Sequence, residues 1–92
     1  MQIRVVSGRV ELRKENGVLI RVIGYSNAVH AEFNDSKNML LILSETGKVE
    51  VRTVEGNLIS ELAPAGIKHA EFSRNSIILS NHSGESKVIN YM

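Results

Sequence analysis

A short motif that combines histidine with glutamate occurs twice in the chain. His-Ala-Glu-Phe occupies residues 30–33 and again residues 69–72, a step of 39 residues. In a β-strand, side chains two positions apart lie on the same face, so the imidazole and the carboxylate of each copy are expected to be neighbours. Such a pair can bind a divalent metal or move protons, or it can form a hydrogen bond that supports packed strands. The sequence favours the hydrogen-bonded pair, and the weaker alternative is a metal site at His30, Glu32, His69 and Glu71.

Other residues that often carry chemistry lack the motifs that activate them. His82 lies in the polar segment 81–85, which is more typical of a solvated turn than of a functional loop. The chain has no Gly-x-Ser-x-Gly motif to present a nucleophilic serine and no glycine-rich phosphate loop. A metal-assisted hydrolase that uses His30 and Glu32 is the least favoured function. We predict that the protein is not an enzyme and that it has no cofactor.

The segments that position these residues are predicted to be β-strands. Short runs rich in Val, Ile and Leu alternate with Gly, Asn, Ser and Asp, and no helical pattern holds for three turns. The run 39–43 is apolar at every position, which predicts a strand covered on both faces. The predicted strands are 2–6, 9–13, 18–23, 28–33, 39–44, 48–53, 58–62, 67–72, 76–80 and 87–91.

The strands recur in repeated units. Residues 47–52 echo residues 8–13, and Gly56 corresponds to Gly17 at the same step of 39 residues. Asn16-Gly17 predicts a type I′ hairpin, in which both central residues have positive φ. A period near forty residues with strand content is the range of propeller blades.

Residues 24–62 resemble one blade of the WD-repeat family. Gly24-Tyr25 stands where the family has Gly-His, and Arg52-Thr53 stands where the family has Trp-Asp. These replacements remove the structural hydrogen-bond network of that family. The resemblance implies an all-β fold of four-stranded antiparallel propeller blades, about two per chain. It divides the single domain 1–92 into a partial blade 1–23, a full blade 24–62 and a partial blade 63–92.

The chain is too short to form a complete propeller ring by itself. A blade buries its faces only against other blades, and a closed ring needs roughly four to eight of them. The chain holds about two and a third repeats, so one copy leaves two blade faces and several strand edges uncovered. We predict a homo-oligomer, preferably a trimer with two blades per chain, in which leftover end strands pair across subunits. Because ten strands exceed the eight of two blades, either a terminal strand lies outside the blades, which is the favoured expectation, or the assembly is not a simple six-bladed ring.

The composition argues against several classes of partner. Eleven basic and ten acidic residues give a net charge of +1, and the basic residues are scattered rather than grouped in a stripe for nucleic acid. No apolar run is long enough to span a membrane. The chain has no cysteine and its N-terminus has no signal-peptide pattern, so a cytoplasmic location is expected.

The expected function is that of a non-enzymatic protein-interaction module, a small oligomeric β-propeller that presents one rim to a protein partner. This expectation rests on analogy of fold. The alternative is an oligomeric propeller that binds a glycan or another small ligand, but aromatic residues, on which sugars stack, form only 4% of the chain. Tyr25 either contacts the partner or plugs the junction between blades. The residues predicted on the rim are Tyr25, Asn27, Asp35, Lys37, Ala65 and His82.

Overall fold

The computed structural model describes residues 1–23 and 27–90, which form ten β-strands in three antiparallel sheets. The strands are β1 (Gln2–Val6), β2 (Arg9–Arg13), β3 (Leu19–Val22), β4 (Ala28–Phe33), β5 (Met39–Ser44), β6 (Val49–Thr53), β7 (Leu58–Ala63), β8 (Ile67–Ser73), β9 (Ser76–Asn81) and β10 (Ser86–Asn90). The prediction of an all-β antiparallel fold is confirmed, and the ends of each predicted strand differ from the observed ends by no more than one residue. None of the described residues belongs to a helix that could cross a membrane.

Each sheet is a meander of strands that are consecutive in the chain. The first sheet has the order β1-β2-β3, the second β4-β5-β6-β7 and the third β8-β9-β10. β1 pairs with β2 along its whole length, and β10 pairs with β9 along its whole length. The expectation that a terminal strand lies outside the sheets is therefore wrong. The described residues contain one four-stranded sheet between two three-stranded sheets, where about two four-stranded units were expected.

The second sheet is covered on both faces, and its strand β5 shows this most clearly. Leu40 and Ile42 belong to the apolar cluster shared with the first sheet, whereas Leu41 and Leu43 belong to the cluster shared with the third. All four side chains are at most 4% exposed, which confirms the prediction from the apolar run 39–43. Their partners are Val10 and Leu12 in the first sheet and Ala70, Ile77 and Leu79 in the third.

The three sheets approach one another most closely at one side of the molecule. The approach involves β1 and β4 for the first two sheets, and β4, β5 and β8 for the last two. No comparable approach joins β3, β7 and β10 within the described residues. The sheets therefore spread apart towards these three strands, which we call the outer strands.

The turn at Asn16-Gly17 differs from its prediction. Gly17 has a φ of 90°, but Asn16 is not among the described residues with positive φ. Lys14 N–H donates to the Val18 carbonyl at 2.8 Å and Gly17 N–H donates to the Lys14 carbonyl at 2.9 Å. The loop is thus one residue longer than a type I′ turn requires, and only its glycine has the left-handed conformation. The pair with two positive φ values is Ser7-Gly8, at 51° and 81°.

The turns that precede β2 and β6 are each hydrogen-bonded to the first strand of the next sheet. The Gly8 carbonyl accepts Ala28 N–H at 2.9 Å, and the Gly47 carbonyl accepts Ile67 N–H at 3.2 Å. Gly8 and Gly47 correspond to each other in the repeat. The same main-chain contact therefore fixes the first sheet to the second and the second sheet to the third.

Candidate interaction surface

The first histidine–glutamate pair links two sheets. On β4, His30 Nε2 lies 2.7 Å from Glu32 Oε1, and Glu32 Oε2 accepts the backbone N–H of Phe72 on β8 at 3.0 Å. One carboxylate therefore orients the imidazole with one oxygen and holds the next sheet with the other. This geometry supports the structural interpretation of the motif.

The second histidine–glutamate pair lies on a face that no other sheet covers. His69 Nε2 is 3.7 Å from Glu71 Oε2, and their side chains are 55% and 48% exposed. Ala70 lies between them in sequence and belongs to the cluster shared with the second sheet, so the pair is on the opposite face. The His30 and His69 ring centroids are 6.2 Å apart, but the described residues contain no group of three or more acidic or histidine residues that could hold a metal.

A repeated charged network lies on β2 and β6. Arg52 donates from Nε to Glu50 Oε1 at 3.1 Å and from Nη1 to the Gly56 carbonyl at 2.7 Å. Arg13 makes the corresponding contacts, with Glu11 Oε1 at 2.8 Å and with the Gly17 carbonyl at 2.7 Å. This network was not predicted from the sequence. The sequence pattern that could have predicted the network is Glu-x-Arg followed by a glycine four residues after the arginine, and it occurs in both copies of the repeat.

Glu50 is a buried carboxylate between two cations. It is 6% exposed, and Lys48 Nζ lies 3.2 Å from its Oε2 on the side away from Arg52. Burial on its own would raise the pKa of Glu50, but the hydrogen bonds and charges of Arg52 and Lys48 outweigh burial, so its pKa lies below the ordinary value. Glu50 is therefore ionised at neutral pH, and its ion pairs stabilise the folded chain.

The residues predicted on one rim do not share one surface. Because consecutive strands are antiparallel, the loops alternate between the two ends of the sheets. The loops with Asn27, Ala65 and His82 lie at one end, whereas Asp35 and Lys37 lie in the β4–β5 loop at the other end. Ala65 and His82 are exposed, and so are Asp35 and Lys37. Tyr25 lies outside the described residues.

The loop at each end borders a cleft. Asp35 lines a cleft of about 360 Å³ together with Asn34, Arg74 and Asn75. Asn27 lines another of about 230 Å³, whose walls include Lys48 and the Glu50–Arg52 pair. The buried side-chain polar atoms of the described residues all have hydrogen-bond partners, so neither cleft shows an unsatisfied group that calls for a ligand.

Within residues 1–23 and 27–90, two sheet faces have no neighbouring sheet, and we name them the N-terminal and C-terminal open faces. Cross-strand pairing places their residues on the sides opposite the two apolar clusters. Exposed apolar side chains occur on both, including Val6 and Val22 on the first sheet and Val88, 60% exposed, on the third. The N-terminal open face consists of Gln2, Arg4, Val6, Arg9, Glu11, Arg13, Leu19 and Val22, and the C-terminal open face consists of His69, Glu71, Ile78, Ser80, Ser86 and Val88.

An apolar groove of about 240 Å³ lies between the outer parts of the second and third sheets. Val51, Leu62 and Ile77 line it. At the step of 39 residues Val51 and Leu62 correspond to Leu12 and Ile23, and Ile77 pairs with Phe72 as Leu40 pairs with Phe33. Leu12, Ile23 and Leu40 form part of the cluster between the first and second sheets, and Val54 from the β6–β7 turn packs against that cluster. Within residues 1–23 and 27–90, no counterpart of Val54 fills the groove at the third sheet.

Comparisons with known proteins assign no family to the chain. No model of a known protein family matches it, and no curated protein matches it. The WD-repeat relationship therefore remains a prediction from the sequence.

Proposed function

We propose that the protein is a non-enzymatic protein-interaction module, a segment of a propeller-like ring that copies of the same chain complete. The observation that carries the proposal is the difference between the sheets. The second sheet packs against a neighbouring sheet on both faces, whereas the first and third each have one uncovered face with exposed apolar side chains. A copy of the chain can cover both open faces, because it brings one of each kind.

The arrangement of the sheets supports a ring. The three sheets are close together at β1, β4 and β8 and spread apart towards the outer strands, as blades do around an axis. Closure of the ring removes both open faces from solvent. Closed assemblies of this kind protect a small domain whose own core is limited.

The number of sheets changes the preferred oligomer. The trimer was expected on the basis of two blades per chain, but the described residues form three sheets. A propeller has roughly four to eight blades, so two chains with six sheets fit this range and three chains with nine do not. We therefore propose a dimer in which each open face meets the other kind of open face.

The outer strands provide the surface for a further protein partner. Leu58 and Ile59 on β7 are 53% and 50% exposed, and Ile20 on β3 is also exposed. A ring covers the open faces but leaves these strands on its outer wall. Apolar side chains that stay exposed after assembly are candidate contacts for a protein partner. This outer wall fits a protein partner better than the predicted rim, whose residues lie at opposite ends.

The glycan-binding alternative has less support. Phe33 and Phe72 are the phenylalanines of the chain, and both pack against the apolar clusters. Neither therefore forms an open platform on which a sugar ring stacks.

Light scattering on two matched variants tests the proposed assembly. Val88→Glu places a charge on the C-terminal open face, and we expect it to lower the molar mass from that of a dimer to that of a single chain. Ile59→Glu places the same charge on the outer wall and should leave the mass unchanged. Equal masses for both variants and the wild type would show that the open faces do not mediate association.

A further inference from the structure

The two copies of the histidine–glutamate motif differ in what their glutamates reach. Glu32 accepts a backbone N–H from the first strand of the following sheet. Glu71 has the same place in the third sheet, but no sheet follows it within the described residues. Its carboxylate is 48% exposed and its contact with His69 is long, at 3.7 Å. The Glu71 carboxylate can therefore accept further hydrogen bonds. It lies on β8, the strand of the third sheet that approaches the second sheet.

The N-terminal open face carries the opposite charge. Arg4, Arg9 and Arg13 lie on it around the single carboxylate Glu11. Arg9 and Arg13 pair with Glu11 at 3.6 and 2.8 Å. Arg4 is exposed and makes no ion pair with any described residue. The face therefore has a surplus of positive charge, and its unpaired cation is on β1.

We propose that Glu71 of one copy pairs with Arg4 of the next copy across the seam between the C-terminal and N-terminal open faces. This inference rests on the proposed ring of copies and names the contact that sets its register. The partner that docks on the C-terminal open face is a second copy of this chain, oriented so that its first sheet follows the third.

The repeat explains why an arginine suits this position. Inside the chain, the first strand of the next sheet supplies the N–H that binds Glu32. In the repeat β1 corresponds to β5, so the first sheet has no strand equivalent to β4. β1 is therefore the edge strand of the first sheet on the side opposite the outer strand β3. A long arginine side chain on β1 can reach into the space of the missing strand. Its guanidinium offers donors to both carboxylate oxygens.

The rest of the seam is compatible with this pair. Val6 and Val22 on one face and Ile78 and Val88 on the other provide apolar area beside the charges. Opposite charges on such faces set orientation and suppress the alternative in which two like faces meet. A head-to-tail contact of this kind, used twice, closes a two-chain ring.

A charge exchange measured by sedimentation equilibrium tests the pair. Glu71→Arg alone and Arg4→Glu alone are each expected to weaken dimerisation by about tenfold or more, because like charges then meet at the seam. The double variant restores the opposite charges and should return the dissociation constant to within about threefold of the wild-type value. Lys37→Glu and Asp35→Arg make the same charge changes in an exposed loop and should have no effect.

The other possible results contradict different parts of the proposal. A wild-type chain that is monomeric overturns the proposed ring together with the seam. A wild-type dimer that neither single variant weakens overturns the seam and leaves the ring in place. Single variants that weaken the dimer without recovery in the double variant overturn the direct pairing. Circular dichroism verifies folding, and Glu71→Gln and Arg4→Gln repeat the test with smaller changes if a reversed charge prevents folding.

Discussion

Glu11 and Glu50 occupy the same position in two copies of the repeat and are 4% and 6% exposed. Buried carboxylates are costly unless cations and donors surround them. Arg13 and Arg52 provide these, and each arginine also binds the carbonyl of a turn glycine. The glutamate therefore ties the middle of a strand to the following turn, which is a structural role in both copies.

The lowered pKa of Glu50 predicts a pH dependence of stability. The pKa is lower in the folded chain than in the unfolded chain, so the stabilisation is complete above the ordinary glutamate pKa of about 4.3 and is lost as pH falls through the folded value. Glu50→Gln should reduce the free energy of unfolding at neutral pH by about 1.5–3 kcal/mol. The difference from wild type should shrink in acid, where Glu50 is protonated and resembles glutamine.

Urea unfolding at neutral and acidic pH, at one fixed chain concentration, measures this difference. Glu45→Gln is the control, because Glu45 is exposed in a turn. A cost of Glu50→Gln that is the same at both pH values would contradict the role assigned to its charge.

At the residue scale, a contact between two side chains of one strand was predictable from the sequence, whereas a contact between strands of different sheets was not. The i, i+2 spacing predicted that His30 and Glu32 are neighbours, and they are in contact. The second partner of Glu32, the Phe72 amide, is 40 residues away in sequence. No local pattern encodes such a contact, because it depends on how two sheets stack.

At the scale of elements, the turn before β6 leaves no room for a side chain at Gly47. Gly47 has a φ of 88°, and a Cβ atom there would lie 2.3 Å from the nitrogen of Gly66 and 2.4 Å from that of Ile67. Gly17 has a similar φ of 90° in the β2–β3 turn, but a Cβ atom there would meet nothing within 4 Å. The two glycines share the same backbone strain and differ in crowding.

Alanine at each glycine separates strain from crowding. Gly17→Ala should reduce the free energy of unfolding by about 1–2 kcal/mol, the cost of a left-handed conformation. Gly47→Ala should cost roughly 3 kcal/mol or more, because the backbone link to β8 has to move as well. Urea unfolding followed by circular dichroism measures both. Similar costs for the two variants would mean that the turn and the β7–β8 link are not packed as described.

The strands were predictable from sequence, and their arrangement was not. Alternation of apolar and polar residues between glycine-rich turns gave the strand limits within one residue. The Asn16-Gly17 turn was mispredicted because the dipeptide does not reveal the length of the loop around it. Asp35 and His82 were assigned to one rim, although strand direction places their loops at opposite ends. That separation follows from counting antiparallel strands, so the sequence did contain the signal.

At the scale of the whole molecule, the chain has a well-covered centre and two uncovered ends. The second sheet has apolar neighbours on both sides, and its strand β5 is almost completely buried. The open faces combine apolar residues with charges of opposite sign, as is typical of surfaces that bind another protein rather than of a domain core. The repeat predicted incomplete blades at both ends. What required the structure is that each end segment forms a separate three-stranded sheet, which sets the proposed number of chains.

Sedimentation velocity of the wild-type chain at micromolar concentration tests the central claim most directly. The account predicts a single species with twice the mass of one chain and a compact frictional ratio, because two copies cover each other's open faces. A folded species with the mass of one chain over the same concentrations would contradict it.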